Sequence, residues 1–142
     1  MTLKEIAAVS GTSGLFRVVG PARSGFLMET LDEKKSRSVT PASGKVSVLE
    51  EISIFTTTAE GTEPLAGVLV RIKGLFGDAL PVTHDSAPEE LRAFMSKVLP
   101  EHDERRVYQS DIRKLVRWYG ILTRFAPEVL EAKAADTTEP QS

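Results

Sequence analysis

The chain has 142 residues, 41% of them hydrophobic and 27% charged, with 18 basic residues against 20 acidic ones and a net charge of −2. That length suits one domain or two small ones, and the charge balance excludes both a strongly basic nucleic-acid packager and a strongly acidic solvating chain. The absence of cysteine excludes disulfides, thiolate metal sites and cysteine nucleophiles.

No apolar run reaches the roughly 18 residues of a membrane-spanning helix. Met1-Thr2-Leu3-Lys4-Glu5 lacks the basic head and apolar stretch of a signal peptide, so a cytoplasmic protein is expected. Thr2 and Glu5 form a Thr-x-x-Glu capping box, with Met1 and Ile6 placed as a hydrophobic staple. Leu3, Ile6, Ala7 and Val9 then predict a short helix of about two turns, ended by Gly11.

After Gly14 the pattern changes to short apolar and β-branched runs split by turn signals. Residues 15–19 (LFRVV), 25–31 (GFLMETL), 36–40 (SRSVT) and 52–56 (ISIFT) read as strands, with 46–51 either a strand or a helical turn. This spacing predicts a small antiparallel sheet or barrel of the SH3-like or Sm-like size over residues 1–58. A unit so small buries little surface and is expected to lean on the second part of the chain.

Residues 59–127 read as helical. Thr62-Glu63-Pro64 opens the first helix, because proline is tolerated in a first turn, and Leu65, Val68, Leu69 and Ile72 follow at helical spacing until Gly74 and Gly77. Ser86-Ala87-Pro88-Glu89 is a second capping box ahead of Leu91, Phe94, Met95, Val98 and Leu99. Ser110 is placed to cap the last helix, with Asp111 against its dipole. Ile112, Leu115, Val116, Tyr119 and Leu122 form its buried stripe, which Trp118 and Phe125 widen. Residues 128–142 turn to Ala, Glu, Asp, Thr and Pro and predict an acidic tail, disordered over 131–142.

Catalytic chemistry is scarce. His84 and His102 fall in predicted connectors without metal-ligand spacing, and the solvated-connector reading is preferred for both. The Gly- and Ser-rich stretch from Ser10 to Gly14 lacks the lysine and preceding strand of a phosphate loop, and it reads as a turn, as does Gly74-Leu75-Phe76-Gly77. Glu50-Glu51 and Glu89-Glu90 read as exposed charge. Phe16, Phe26 and Phe55, the aromatics of the first part, read as core. No proton carrier with a partner is available for acid–base work, so no enzyme, cofactor or metal is expected.

One pattern is more suggestive. Arg106, Arg113, Arg117 and Arg124 fall within about 40° of one another on a helical wheel, provided the helical register reaches back to Arg106. Between residues 105 and 124 stand six basic residues and one acidic residue. Arginine suits carboxylate and phosphate forks, so these four are candidate docking residues. The competing reading is a solvated face paired with the glutamates of 50–63 and 85–90. Within Arg106-Val107-Tyr108-Gln109-Ser110-Asp111-Ile112, Arg106 is placed to pair with Asp103, and Tyr108 to anchor the preceding loop.

Several strings taken in order carry a resemblance: Leu3-Lys4-Glu5-Ile6, Gly14-Leu15-Phe16-Arg17-Val18, Gly25-Phe26-Leu27-Met28-Glu29-Thr30-Leu31 and Val46-Ser47-Val48-Leu49-Glu50-Glu51-Ile52-Ser53-Ile54-Phe55-Thr56. Val98-Leu99-Pro100-Glu101-His102-Asp103 and Arg106-Val107-Tyr108-Gln109-Ser110-Asp111-Ile112-Arg113-Lys114 extend it. Together they resemble the Bacteroidetes family called domain of unknown function 5606 with its helical C-terminal companion, over about residues 1–125. The resemblance implies a small cytoplasmic bacterial protein with a β-rich domain followed by a helical one. It brings no activity, cofactor or catalytic residue. This chain adds a Gly/Ala/Pro-rich stretch near residues 74–81 and a longer acidic tail.

The expected fold is therefore α+β: a short N-terminal helix, a small SH3-like or Sm-like β-barrel, a three-helix domain and a tail. The expected function is a non-catalytic binding or adaptor role with a protein partner and no membrane, a homodimer being open. The alternative is a protein that binds RNA or DNA backbone through the arginine stripe.

Overall fold

In the computed structural model, which describes residues 2–12, 14–41 and 45–130, the Thr2 box forms but closes a single 3-10 turn, Leu3–Glu5. The Thr2 N–H donates to Glu5 Oε1 at 2.8 Å. The chain then extends as β1 (Ile6–Val9) instead of continuing the expected helix. Ile6 and Ala7 are neighbours and both fully buried, which suits a central strand covered on both faces. Met1, the other half of the expected staple, and the tail over 131–142 lie outside the described residues.

Strands β2 (Phe16–Ala22), β3 (Gly25–Thr30), β4 (Arg37–Pro41) and β5 (Val46–Val48) complete a five-stranded antiparallel sheet of order β4-β3-β2-β1-β5. The ambiguous 46–51 segment is both things in turn: strand β5, then a 3-10 turn over Leu49–Glu51. Among the described residues β4 and β5 do not pair with each other, so the sheet is not closed into a barrel.

Strand β6 (Ser53–Phe55) pairs with β7 (Thr62–Pro64) in a separate two-stranded sheet. Thr62-Glu63-Pro64 is thus a strand, and helix α1 (Leu65–Phe76) begins after it. It runs through Gly74 and stops at Gly77, whose φ of 61° favours glycine. Tyr119 Oη donates to the Gly77 carbonyl at 2.6 Å, tying the end of α1 to the last helix.

Helix α2 (Pro88–Val98) is capped one residue later than expected. The Ala87 N–H donates to Glu90 Oε1, while Ser86 Oγ accepts from the Thr83 N–H. In helix α3 (Gln109–Phe125) the cap is Tyr108, whose N–H donates to Asp111 Oδ2 at 3.0 Å; Ser110 lies in the first turn. Asp111, at the third helical position, thus reaches back to the N–H of the cap residue, while Ser110 does not occupy the cap position expected of it.

One core joins both parts. Leu3, Ile6, Leu15, Leu31 and Leu49 pack in the same cluster as the buried stripes of α1, α2 and α3. Ala126, Val129 and Leu130 join it too, so packed structure runs to Leu130 and the tail does not begin at Glu128. Ala7 and Met28 are fully buried yet lie outside that cluster. The register explains this. Ile6 stands opposite Arg17, whereas Ala7 stands opposite Phe16 and Met28 opposite Val18, so these four share the other face of the sheet.

The turn between β3 and β4 hangs on Asp32, whose Oδ1 accepts from Thr30 Oγ1 at 2.8 Å and from the N–H groups of Lys34 and Lys35. The Thr30 hydrogen bond foremost, then those of the backbone, hold the Asp32 carboxyl below the usual carboxylate range. A lowered folded value means that this support is complete above the unfolded pKa and is lost as pH falls through the folded one. Amide shifts of Lys34 and Lys35 followed by NMR are expected to move only at pH values below those at which ordinary carboxylates titrate. Movement in the ordinary carboxylate range would contradict the assignment.

Candidate functional site: a basic groove beside the last helix

Burying Ile112, Leu115, Val116, Tyr119 and Leu122 turns the opposite side of α3 outward. A groove of about 930 Å³ runs between the first half of α3, strand β6 and the β1–β5 end of the sheet. Arg113, Lys114 and Arg117 line it from α3, Arg106 from the preceding loop, and Lys45 from the residue before β5. Ile52, Ile54, Leu115 and Trp118 contribute apolar surface. Asp111 is the one acid in this lining, and its carboxylate is taken by the Tyr108 N–H.

The four candidate arginines do not form one continuous face. Helix α3 starts at Gln109, so Arg106 is not on it. Arg106 still reaches the groove, with Nε 3.9 Å from Asp103 Oδ2 and its guanidinium 4.9 Å above the Phe55 ring. Arg124 lies outside this groove. Its Nη2 donates to Glu33 Oε2 at 2.7 Å, and it borders a shallower recess near the end of α3. Glu33 and Asp103, not the glutamates of 50–63 and 85–90, are the acids these arginines meet. Arg113 and Arg117 have no hydrogen-bond or ion-pair partner among the described residues.

Two members of the site are not legible in the sequence. Lys45 is far from α3 along the chain, and nothing in its neighbours signals the approach. Phe55 reads as core, but it is 43% exposed beneath Arg106, and Phe26 is exposed as well. Tyr108 is 64% exposed rather than anchored in the loop. Ile54 is the neighbour that packs on the core, so strand alternation sends Phe55 outward.

The histidines divide. His84 is partly exposed beside Asp85, as a connector should be. His102 is buried at 6% exposure, against expectation, with Nδ1 2.8 Å from the Leu99 carbonyl and its backbone bridged to Thr56. It fastens the turn after α2 to the end of β6. Among the described residues no three His, Asp or Glu side chains are gathered as for a metal ion. The Gly-rich stretch is a turn in which the Thr12 N–H and hydroxyl both donate to the Val9 carbonyl. Chemically, the groove offers unpaired guanidinium forks beside an apolar floor, an arrangement suited to carboxylates carried on a partly apolar chain.

Residues 3–49 match the domain of unknown function DUF5606, and residues 52–122 match the domain of unknown function DUF6852. A solution NMR structure of a structural-genomics target from Bacteroides vulgatus is similar at 30% sequence identity and a TM-score of 0.69, covering 89% of each chain. No protein of curated function matches the chain.

Proposed function

The chain belongs to the family that joins the DUF5606 and DUF6852 domains, and on that premise we propose that it is a non-catalytic cytoplasmic binding protein whose groove docks an acidic, partly apolar polypeptide segment. The observation that carries this reading is the pair Arg113 and Arg117, unpaired beside apolar Ile54 and Trp118 in a groove with a single, already engaged acid. Exposed Phe55, beneath Arg106, extends the apolar surface. In the same reading we take the five strands as a small SH3-like or Sm-like unit left open, a reading that the order β4-β3-β2-β1-β5 supports. No helix among the described residues is long and apolar enough to cross a membrane.

A nucleic-acid backbone is less favoured, because the stripe that would track phosphates is interrupted. Arg124 is tied to Glu33, and Arg106 is shared between Asp103 and Phe55. With Arg113, Arg117, Lys45 and Lys114 on phosphates the log–log salt slope would be about −2.8 to −3.6.

The test is fluorescence anisotropy with a labelled Glu/Val peptide, a single-stranded RNA and a DNA duplex, at low and high salt. The peptide is expected to bind the wild type and to lose at least roughly tenfold in affinity in Arg113→Glu/Arg117→Glu, since like charge across an interface opposes binding. Equal binding by the variant, or none by the wild type at low salt, overturns the proposal. Salt-sensitive binding of RNA or DNA without the peptide would move the site to the nucleic-acid reading.

A further inference from the structure

A five-stranded open sheet has two edges, and one of them borders the groove. Strand β5 pairs with β1 on one side and with no strand on the other among the described residues. The Ser10 N–H donates to the Lys45 carbonyl at 2.9 Å, and the register continues with Val9 opposite Val46 and Ala8 opposite Ser47. In an antiparallel ladder bonded and non-bonded pairs alternate. Lys45 and Ser47 therefore bond to β1, while the N–H and C=O of Val46 and the N–H of Val48 point away from it, out of the sheet edge; the Val48 C=O opens the 3-10 turn that follows. Lys45 and Ser47 are the β5-side residues that line the groove. Val46-Ser47-Val48 carries none of the proline or charge that ordinarily blunts an edge.

We propose that the acidic segment docks as an added strand on the outer edge of β5, its alternate side chains entering the groove toward Arg113 and Arg117. This rests on the docking reading above and supplies its geometry. Main-chain hydrogen bonds to both groups of Val46 and to the Val48 N–H hold the segment, and the pocket for alternate side chains selects it, as in strand addition generally. The spacing defines the ligand. Alternate residues of a strand are about 6.7 Å apart. Arg113 and Arg117 are four residues apart on α3, an offset of about 6 Å along its axis. An acidic-x-acidic sequence with apolar residues between matches both guanidinium groups from one side of the strand. Adjacent acids would point to opposite sides and present only one.

The experiment compares two labelled peptides of identical composition, Ser-Val-Glu-Val-Glu-Val-Ser and Ser-Val-Val-Glu-Glu-Val-Ser, on three proteins: wild type, Arg113→Glu/Arg117→Glu and Val46→Pro. Proline at 46 removes an outward N–H and leaves the bonds of Lys45 and Ser47 to β1 in place. The alternating peptide is expected to bind the wild type at least tenfold more tightly than its isomer, and to lose at least tenfold with Val46→Pro. It is also expected to slow hydrogen exchange at the Val46 and Val48 amides of the wild type by a similar factor. Should Val46→Pro fail to fold, the alternating peptide N-methylated at its edge-facing amides makes the same test on the wild type. Binding that is lost in the arginine variant but unchanged by Val46→Pro, by N-methylation and by the order of the glutamates would overturn strand addition and leave docking standing. Loss of neither would overturn both.

Discussion

Truncating Phe94 to alanine is expected to cost about 3–5 kcal/mol, the range for emptying a buried aromatic site. The side chain is 2% exposed on the inner face of α2 and its ring lies 5.6 Å from that of Phe76, tilted by 31°. The loss combines removal of apolar surface, the cavity left behind, and a ring–ring term of about 0.5–1.5 kcal/mol. For a chain of this length the melting temperature should fall by roughly 6–20 °C. Phe94→Leu fills most of the volume and should recover more than half of that. Thermal unfolding followed by circular dichroism checks both. A loss below about 1 kcal/mol for the alanine variant would mean that α2 does not pack on the core through Phe94.

Leu49→Ala is expected to cost about 2–5 kcal/mol and, more tellingly, to weaken both parts of the chain together. Leu49 is fully buried in the 3-10 turn that follows β5, where the DUF5606 match ends. That turn touches α1 on one side and β1 with the N-terminal 3-10 turn on the other. Trp118, the chain's one tryptophan, reports on α3, and β3 amide exchange reports on the sheet. Both should show one coincident urea transition, shifted equally by the variant. Two separated transitions would show that the shared cluster does not couple the parts.

The helices are the most legible elements. Leu91, Phe94, Met95, Val98 and Leu99 are all buried as their spacing requires, because a helix packed on one side writes its period into the sequence. Helix ends are less legible. A cap needs only a side-chain oxygen within reach of a free N–H, and near Ser86 and Ser110 it is Glu90 and Asp111 that reach back instead. The N-terminal helix fails for a different reason. A Thr-x-x-Glu box closes a 3-10 turn as well as an α-turn, and a strand buried on both faces shows no alternation to mark it. Of the site, Arg113 and Arg117 can be read as one outward face of α3. Lys45 and the β5 edge cannot, since their approach to α3 is set by tertiary packing and leaves no local signal.

The shared cluster also has a consequence in time. Leu3, Ile6, Leu15, Leu31 and Leu49 are made first, and the last large side chains that cover them come from α3 and the turn after it. At about 5–20 residues per second, Leu122 follows Leu49 by roughly 4–15 s. Through that interval the nascent sheet leaves the ribosome with its inner face bare and both edge strands open. A chain stalled between residues 60 and 110 would therefore be a sticky, chaperone-dependent fragment rather than a finished domain, and release of the completed helices would set the moment at which it becomes safe.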